Sequence, residues 1–272
     1  MVKTIAKRTV ELMPGPLQKR VRSSYWSLKS NLLYRHLYRL LNLENTLRSG
    51  LTLKVASKGE WWTYNDIYVN GEYDLPIQTA VGSCSRTRPF TVVDLGANVG
   101  YFALRVVDLL RRNGLGAVPF RITMVEGSPR TFRELEQRMQ CQNLPPGTVR
   151  LIQGLVGRRA GTGRLHESAV HVKNTIISGG NGGGTAVNFV DLSSLLKEES
   201  VIDLLKCDIE GAELLFLENY GDLFPKVKNA VFELHHRQCD TTKCLSLLHD
   251  MGFQQQVLRD TDSFSVSFFR RA

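Results

Sequence analysis

The stretch from Thr91 to Leu110 reads as a strand turning tightly into a helix. An apolar run, Thr91–Leu95, leads through Gly96-Ala97-Asn98-Val99-Gly100 into a segment where Phe102, Val106, Leu109 and Leu110 recur at helical spacing. Glycine belongs where such a chain must bend sharply and let a ligand approach its backbone. The helix that follows aims its first N–H groups at whatever lies beyond the strand end. A chain that opens a unit this way is committed to alternating strands and helices around a largely parallel sheet.

The spacing of the turn separates two kinds of nucleoside ligand. A dinucleotide turn carries G-x-G-x-x-G, whereas this one carries Gly96-x-x-x-Gly100 preceded by Asp94 at the strand end. D-x-G-x-x-x-G is the arrangement of S-adenosylmethionine-binding domains, and a carboxylate suits a ligand bearing an amino group and a sulfonium. The next strand, Arg121–Val125, runs into Glu126, which is placed to accept hydrogen bonds from ribose hydroxyls. Asp94, Gly96, Asn98, Gly100, Tyr101, Glu126 and Asp208 are therefore the expected cofactor contacts.

The same alternation continues along the chain. Ser128 and Pro129 cap a helix carrying Phe132, Leu135 and Met139, and Val149–Ile152 is a third strand. Further strands are predicted at Leu51–Ala56, Ala186–Val190, Val201–Cys207 and Ala230–Leu234, with a helix at Thr241–Met251. Phe253–Leu258 and Phe264–Phe269, joined by a short polar turn, predict an antiparallel hairpin. The fold class is α/β, a doubly wound and mostly parallel sheet closed by that hairpin. Residues 1–50 read as a basic helical arm, with a helix from Ser24 to Leu47, and residues 51–272 as the cofactor-binding domain. Gly179–Gly184 is either a mobile lid over the acceptor or a surface linker.

Three stretches carry a family resemblance: Val93–Phe102 (V-D-L-G-A-N-V-G-Y-F), Leu205–Glu213 (L-K-C-D-I-E-G-A-E) and Val231–His235 (V-F-E-L-H). Thr185–Leu196 and Met124–Pro129 also fit. Together they resemble the FkbM-type enzymes, a branch of the class I S-adenosylmethionine-dependent methyltransferases, over about residues 90–270. Gly127 departs from the family, which often has proline after the ribose-binding glutamate. The resemblance implies O-methylation of sugar hydroxyls or natural products.

Ligands of an open α/β sheet lie beyond the carboxyl ends of its strands, which gathers Asp94, Glu126, Asp208, Glu233 and His235 on one rim. An alcohol acceptor needs its proton removed. Glu233 and His235 alternate on one face of their strand, so His235 is the expected base, with Asp208 and Glu233 as the other catalytic candidates. Glu210 and Glu213 read equally well as favourable charges at a helix start, and His236 points to the opposite face. No metal site is assigned, although Asp208 with Glu233 offers oxygen ligands to Mg²⁺. Trp61, Trp62 and Tyr64 either stack on a ring-shaped acceptor or lock the arm to the domain.

Charge and cysteine content narrow the partners. Ten of the 35 Lys and Arg fall in residues 1–50 against only two acidic residues, so the net charge of +9 belongs mainly to the arm. A nucleic-acid-binding domain usually carries its own basic face, and no N-P-P-Y, D-P-P-Y or Pro-Cys segment is present. The expected partner is a small-molecule or glycan acceptor, with a peripheral membrane contact through residues 1–50. A nucleic-acid methyltransferase using the arm and a non-catalytic interaction protein are the other readings. Five scattered cysteines without a C-x-x-C pair, and no long apolar run, lead to the expectation of a cytoplasmic protein.

Overall fold

The computed structural model describes residues 37–38, 41, 43–85, 87–166, 175–177 and 184–271. Most of the predicted arm and Gly179–Gly183 lie outside these residues. Seven strands form the central sheet: β3 (Phe90–Leu95), β4 (Phe120–Glu126), β5 (Val149–Gln153), β9 (Leu204–Cys207), β10 (Asn229–His235), β11 (Phe253–Asp260) and β12 (Phe264–Arg271). Their order is β11-β12-β10-β9-β3-β4-β5. The first five named run parallel, while β12 pairs antiparallel with both β10 and β11. The predicted sheet and its terminal hairpin are both present.

Strands covered on both faces read as continuous apolar runs. All six residues of β3 and all four of β9 are buried. Successive residues then enter opposite layers: Val92, Met124, Leu204 and Val231 face one core, and Val93, Val125, Leu205 and Phe232 the other. Helices α3 (Tyr101–Arg112) and α4 (Pro129–Gln140) follow β3 and β4, and Ser128 caps α4 by accepting from the Thr131 N–H. The second core holds an aromatic group of Phe216, Phe224, Phe232 and Phe269, each contributing about 1.5–3 kcal/mol through burial.

One predicted element differs. Leu43–Thr46, read as the end of the arm's helix, is strand β1 and pairs antiparallel with β2 (Thr52–Val55). A tight turn over residues 47–50, closed by the Gly50 N–H donating to the Leu47 carbonyl at 2.9 Å, brings the two strands together, and Leu53 and Val55 are buried against the first core. The predicted strand Ala186–Val190 is β8 (Thr185–Asn188), which joins β6 (Thr162–His166) and β7 (Thr175–Ile177) in a separate sheet. Between the hairpin and β3 stand α1 (Lys58–Tyr64), a π-helical turn (Asn65–Val69) and α2 (Asp74–Gly82).

The chain leaves β3 toward β4 and β5, then returns to place β9 on the other side of β3. Connections therefore diverge between β3 and β9, which opens a crevice at their carboxyl ends.

Candidate active site

The turn after β3 is built by contact between chain segments. Gly96 has φ +76°, and a Cβ there would lie 1.7 Å from the Asp208 carbonyl oxygen. Gly100 has φ +90°, and its Cβ would meet Met139 Cε at 2.7 Å and Leu135 Cδ1 at 2.9 Å. The Asp208 backbone thus demands glycine at 96, whereas at 100 the neighbours are movable side-chain ends and the positive φ is what favours glycine. Asn98 also has positive φ, at 50°, a conformation that asparagine tolerates better than most residues. Its backbone N–H donates to Glu126 Oε2 at 2.9 Å, and its buried Oδ1 has no partner.

Two clefts meet at this turn. The smaller, about 590 Å³, has Glu126 beside aliphatic walls from Val125, Leu155, Val156, Leu165 and Ile209. Glu126 Oε1 accepts from the Ser128 N–H at 2.8 Å; burial raises its pKa, against the two backbone donors. The larger cleft, about 1380 Å³, runs past Trp61, Trp62, Tyr73, Arg259 and Phe264. Gly96, Asn98, Asp208 and Glu210 line both.

Lys206 sits beneath the junction. It is 5% exposed, and its Nζ donates to the Gly96 carbonyl at 2.9 Å. The same Nζ lies 3.3 Å from Asp94 and 3.4 Å from Asp208. Burial opposes its charge, but Asp94, Asp208 and Glu233 outweigh burial and raise its pKa. Asp94 is fully buried, and burial raises its pKa despite Lys206. Neither Asp94 oxygen completes a directed hydrogen bond.

The end of β10 supplies the acidic wall. His235 Nδ1 stands 2.9 Å from Glu213 Oε1, at the start of α6 (Glu213–Asn219). His235 Nε2 faces Glu210 at 3.4 Å and Glu233 at 3.6 Å. Burial disfavours the imidazolium, but the Glu213 hydrogen bond and the charges of Glu213, Asp208 and Glu210 push its pKa up to about 10. Burial, then Asp208, pushes Glu210 up to about 8 and also raises Glu233. Asp208, Glu233 and His235 offer ligand atoms within 4.8 Å of one another, a spacing that a divalent ion could bridge.

The sequence profile of the methyltransferase FkbM domain matches residues 94–254, more than half of the chain. The chain belongs to the FkbM methyltransferase family. Among solved structures, it is similar to an S-adenosylmethionine-dependent methyltransferase from Agrobacterium tumefaciens. That pair shares 11% identity and a TM-score of 0.47 over 84% of this chain and 69% of the other. It is also similar to magnesium protoporphyrin IX methyltransferase from Synechocystis PCC 6803, with 12% identity and a TM-score of 0.42 over 76% and 83% of the chains. Precorrin-6y C5,15-methyltransferase from Geobacter metallireducens gives 10% identity and a TM-score of 0.42 over 72% and 88%. No curated protein sequence matches.

The residues of this FkbM methyltransferase fit S-adenosylmethionine. The smaller cleft joins aliphatic walls suited to a flat base with a buried carboxylate suited to a diol. At the same turn the buried Asn98 Oδ1 is an acceptor without a donor, and Asp94 is buried against Lys206. Tyr101, an expected cofactor contact, turns its hydroxyl to the Lys54 carbonyl at 2.6 Å and to Glu60 at 3.2 Å, tying α3 to β2 and α1. His236 lies 3.9 Å from Asp260, apart from the cluster. Trp61 and Trp62 stand 39% and 47% exposed along the larger cleft. Sequence reasoning passed over Lys206, although a lysine inside the apolar run Leu204–Cys207 is an anomaly that signals a buried partner. Glu72, Tyr73 and Arg259 carried no such signal.

Proposed function

We propose that this enzyme transfers the methyl group of S-adenosylmethionine to a hydroxyl of a sugar, glycan or natural-product acceptor. The observation that carries the reading is the meeting of the two clefts at Gly96, Asn98, Asp208 and Glu210. One cleft suits the nucleoside and the other a ring-bearing acceptor, so donor and acceptor would meet beside Asp208. S-adenosylmethionine supplies an activated methyl group, which leaves alignment and proton removal to the protein.

The chain's own residues would share those tasks. Glu126 and Asp94 hold the two ends of the donor, and Lys206 keeps the Gly96 turn and Asp208 in register. Glu213 fixes the His235 ring, and the Asp208, Glu233 and His235 group receives the acceptor proton. The larger cleft sets Asp66, Glu72, Asp208, Glu210 and Glu233 against Lys206 and Arg259, both of which are already ion-paired. That balance disfavours a polyanion and supports an uncharged, hydroxyl-rich acceptor. Asp208, Glu233 and His235 would be the residues to hold a divalent ion such as Mg²⁺, which would lower the pKa of the hydroxyl, and chelator added during turnover tests that alternative. The basic sequence of residues 1–42 supports a cytoplasmic enzyme resting on an anionic membrane surface.

Labelled methyl donor incubated with the enzyme and fractionated cell extract tests the acceptor. Label should enter alkali-stable ethers of glycan or small-molecule fractions. Label confined to nuclease-sensitive material would overturn the reading.

A further inference from the structure

The chain from Lys58 to Val69 forms one helical rod, because the π-helical turn continues α1 without a break. A surface helix normally turns its polar side outward, and this one does the reverse. Trp61, Trp62 and Val69 are the exposed residues of the rod, while Glu60 and Ile67 are buried and Thr63, Asn65 and Asp66 half-buried. Glu60 anchors the inward side. Its carboxylate accepts from the Ala56 N–H at 2.9 Å, lies 3.2 Å from the Tyr101 hydroxyl and pairs with Arg138. The two indoles and the valine are thus presented on a fixed support. Val69 stands two turns beyond the tryptophans and does not line the larger cleft, so an acceptor held there leaves it bare. Six of the seven large apolar residues exposed among the described ones fall between residues 37 and 75: Leu37, Leu41, Trp61, Trp62, Val69 and Leu75. Single exposed apolar residues are ordinary, but their concentration in one segment marks a surface that a partner covers.

Charge and side-chain type identify that partner. Residues 1–42 hold nine Lys and Arg against one acidic residue, Glu11, a net charge of +8. Lys58 Nζ adds a cation 4.8 Å over the Trp62 ring. Tryptophan favours the boundary of water and lipid, where its ring is apolar and its N–H stays wet. A basic segment and an inserted apolar edge are together the two signals that attachment to an anionic bilayer takes. Trp61 and Trp62, exposed yet lining the larger cleft, form its mouth with Asn65 and Asp66 of the same rod. Resting on the methyl-transfer reading above, we infer that Trp61, Trp62 and Val69 seat the mouth of the larger cleft on an anionic lipid surface, and that the acceptor is a lipid of that surface whose uncharged, hydroxyl-bearing head enters the cleft.

The head then meets the methyl donor beside Asp208, where the two clefts join. The S–CH₃ bond breaks with its electron pair left on sulfur. A lone pair of the head's hydroxyl oxygen forms the O–CH₃ bond, and the hydroxyl proton passes to the Asp208, Glu233 and His235 group. The lipid tail stays in the bilayer throughout, so the product keeps its place in the membrane.

Lipids brominated in the acyl chains test the seat, because bromine quenches an indole that it touches. The full chain carrying Trp26→Phe keeps Trp61 and Trp62 as its tryptophans. On vesicles of equal brominated phosphatidylcholine and phosphatidylglycerol, their emission should shift to shorter wavelength and be quenched, as for rings about 5–10 Å deep in the interface. Val69→Asp in the otherwise native chain should weaken binding to unbrominated vesicles by about fivefold or more, the worth of one charge beside an anionic surface. Should Trp26→Phe fail to fold, Val69→Asp decides. A folded full chain that binds no vesicles, bound chain with unquenched emission, or Val69→Asp that binds as tightly as wild type would overturn the seat. For the acceptor, labelled methyl donor is incubated with the wild-type enzyme and cell membranes. Label should enter ethers that extract into organic solvent. Label confined to water-soluble material would overturn the lipid acceptor while leaving the methyl-transfer reading intact. Label absent from every fraction would sink that reading and the lipid acceptor with it, whereas the quenching result would still decide the seat.

Discussion

A lysine 5% exposed between Asp94 and Asp208 cannot be truncated without stranding charge. Lys206→Met should destabilise the fold by about 3–5 kcal/mol, read as a lower denaturant midpoint at unchanged slope. Adding Asp94→Asn should recover part of the loss, because the coupled partners are not additive. The cluster also sets a pH dependence. His235 has a folded pKa of about 10, whereas unfolded histidine titrates near ~6.5. Its stabilisation is therefore complete below about pH 6.5 and fades as pH rises through 10. Glu210, shifted to about 8, has the same sign, since the folded state binds its proton more tightly. The thermal midpoint should fall between about pH 6.5 and 10. Glu213→Gln, which removes the negative charge facing Nδ1, should flatten that fall; a midpoint that rises over this range would contradict the charge assignment.

The junction depends on how elements approach one another. Gly96 lets the end of β9 lie against the turn after β3, and a methyl group there collides with the Asp208 carbonyl at 1.7 Å. Gly96→Ala should cost about 2–4 kcal/mol and displace Asp208, seen as lower stability together with weaker donor binding. This contact also shows where a sequence runs out. The β3 turn, Glu126 at the end of β4, and Glu233 with His235 on alternate positions of β10 are local patterns with period two or a fixed spacing, and all were legible. The packing of Gly96 against Asp208, 112 residues away, is not a local pattern, so its glycine read as a ligand-approach residue. Arg259 escaped notice for the same reason, since Asp66 and Glu72 are distant in the chain, whereas the signal for Lys206 was local, a lysine inside an apolar run. Leu43–Thr46 was misread as helix because the pairing with Thr52–Val55 that decides it lies outside the segment.

Across the whole molecule, the hairpin of β1 and β2 is anchored to the sheet domain. The Tyr101 hydroxyl donates to the Lys54 carbonyl, and Gln142 bonds the backbone of Thr52 through both its donor and acceptor atoms. A truncation at residue 50 would remove β1 from this hairpin, so it should lower the thermal midpoint. Removing residues 1–42 keeps both strands but loses Tyr38, which packs against the first core, so it should lower the midpoint less than truncation at residue 50 does. The shorter deletion should abolish sedimentation with anionic vesicles at low salt, as expected for a polybasic segment. Retained vesicle binding would assign the contact to the folded domain.

The central claim is that a methyl donor spans the junction with its sugar on Glu126 and its amino-acid end near Asp94. Equilibrium dialysis of labelled S-adenosylmethionine against the wild-type chain, Glu126→Gln and Asp94→Asn tests it most directly. Saturable binding at one site is expected, weakened by about tenfold or more in each variant as charge-assisted hydrogen bonds are lost. Folded wild-type protein that shows no saturable binding, or equal affinity in all three proteins, would contradict the account.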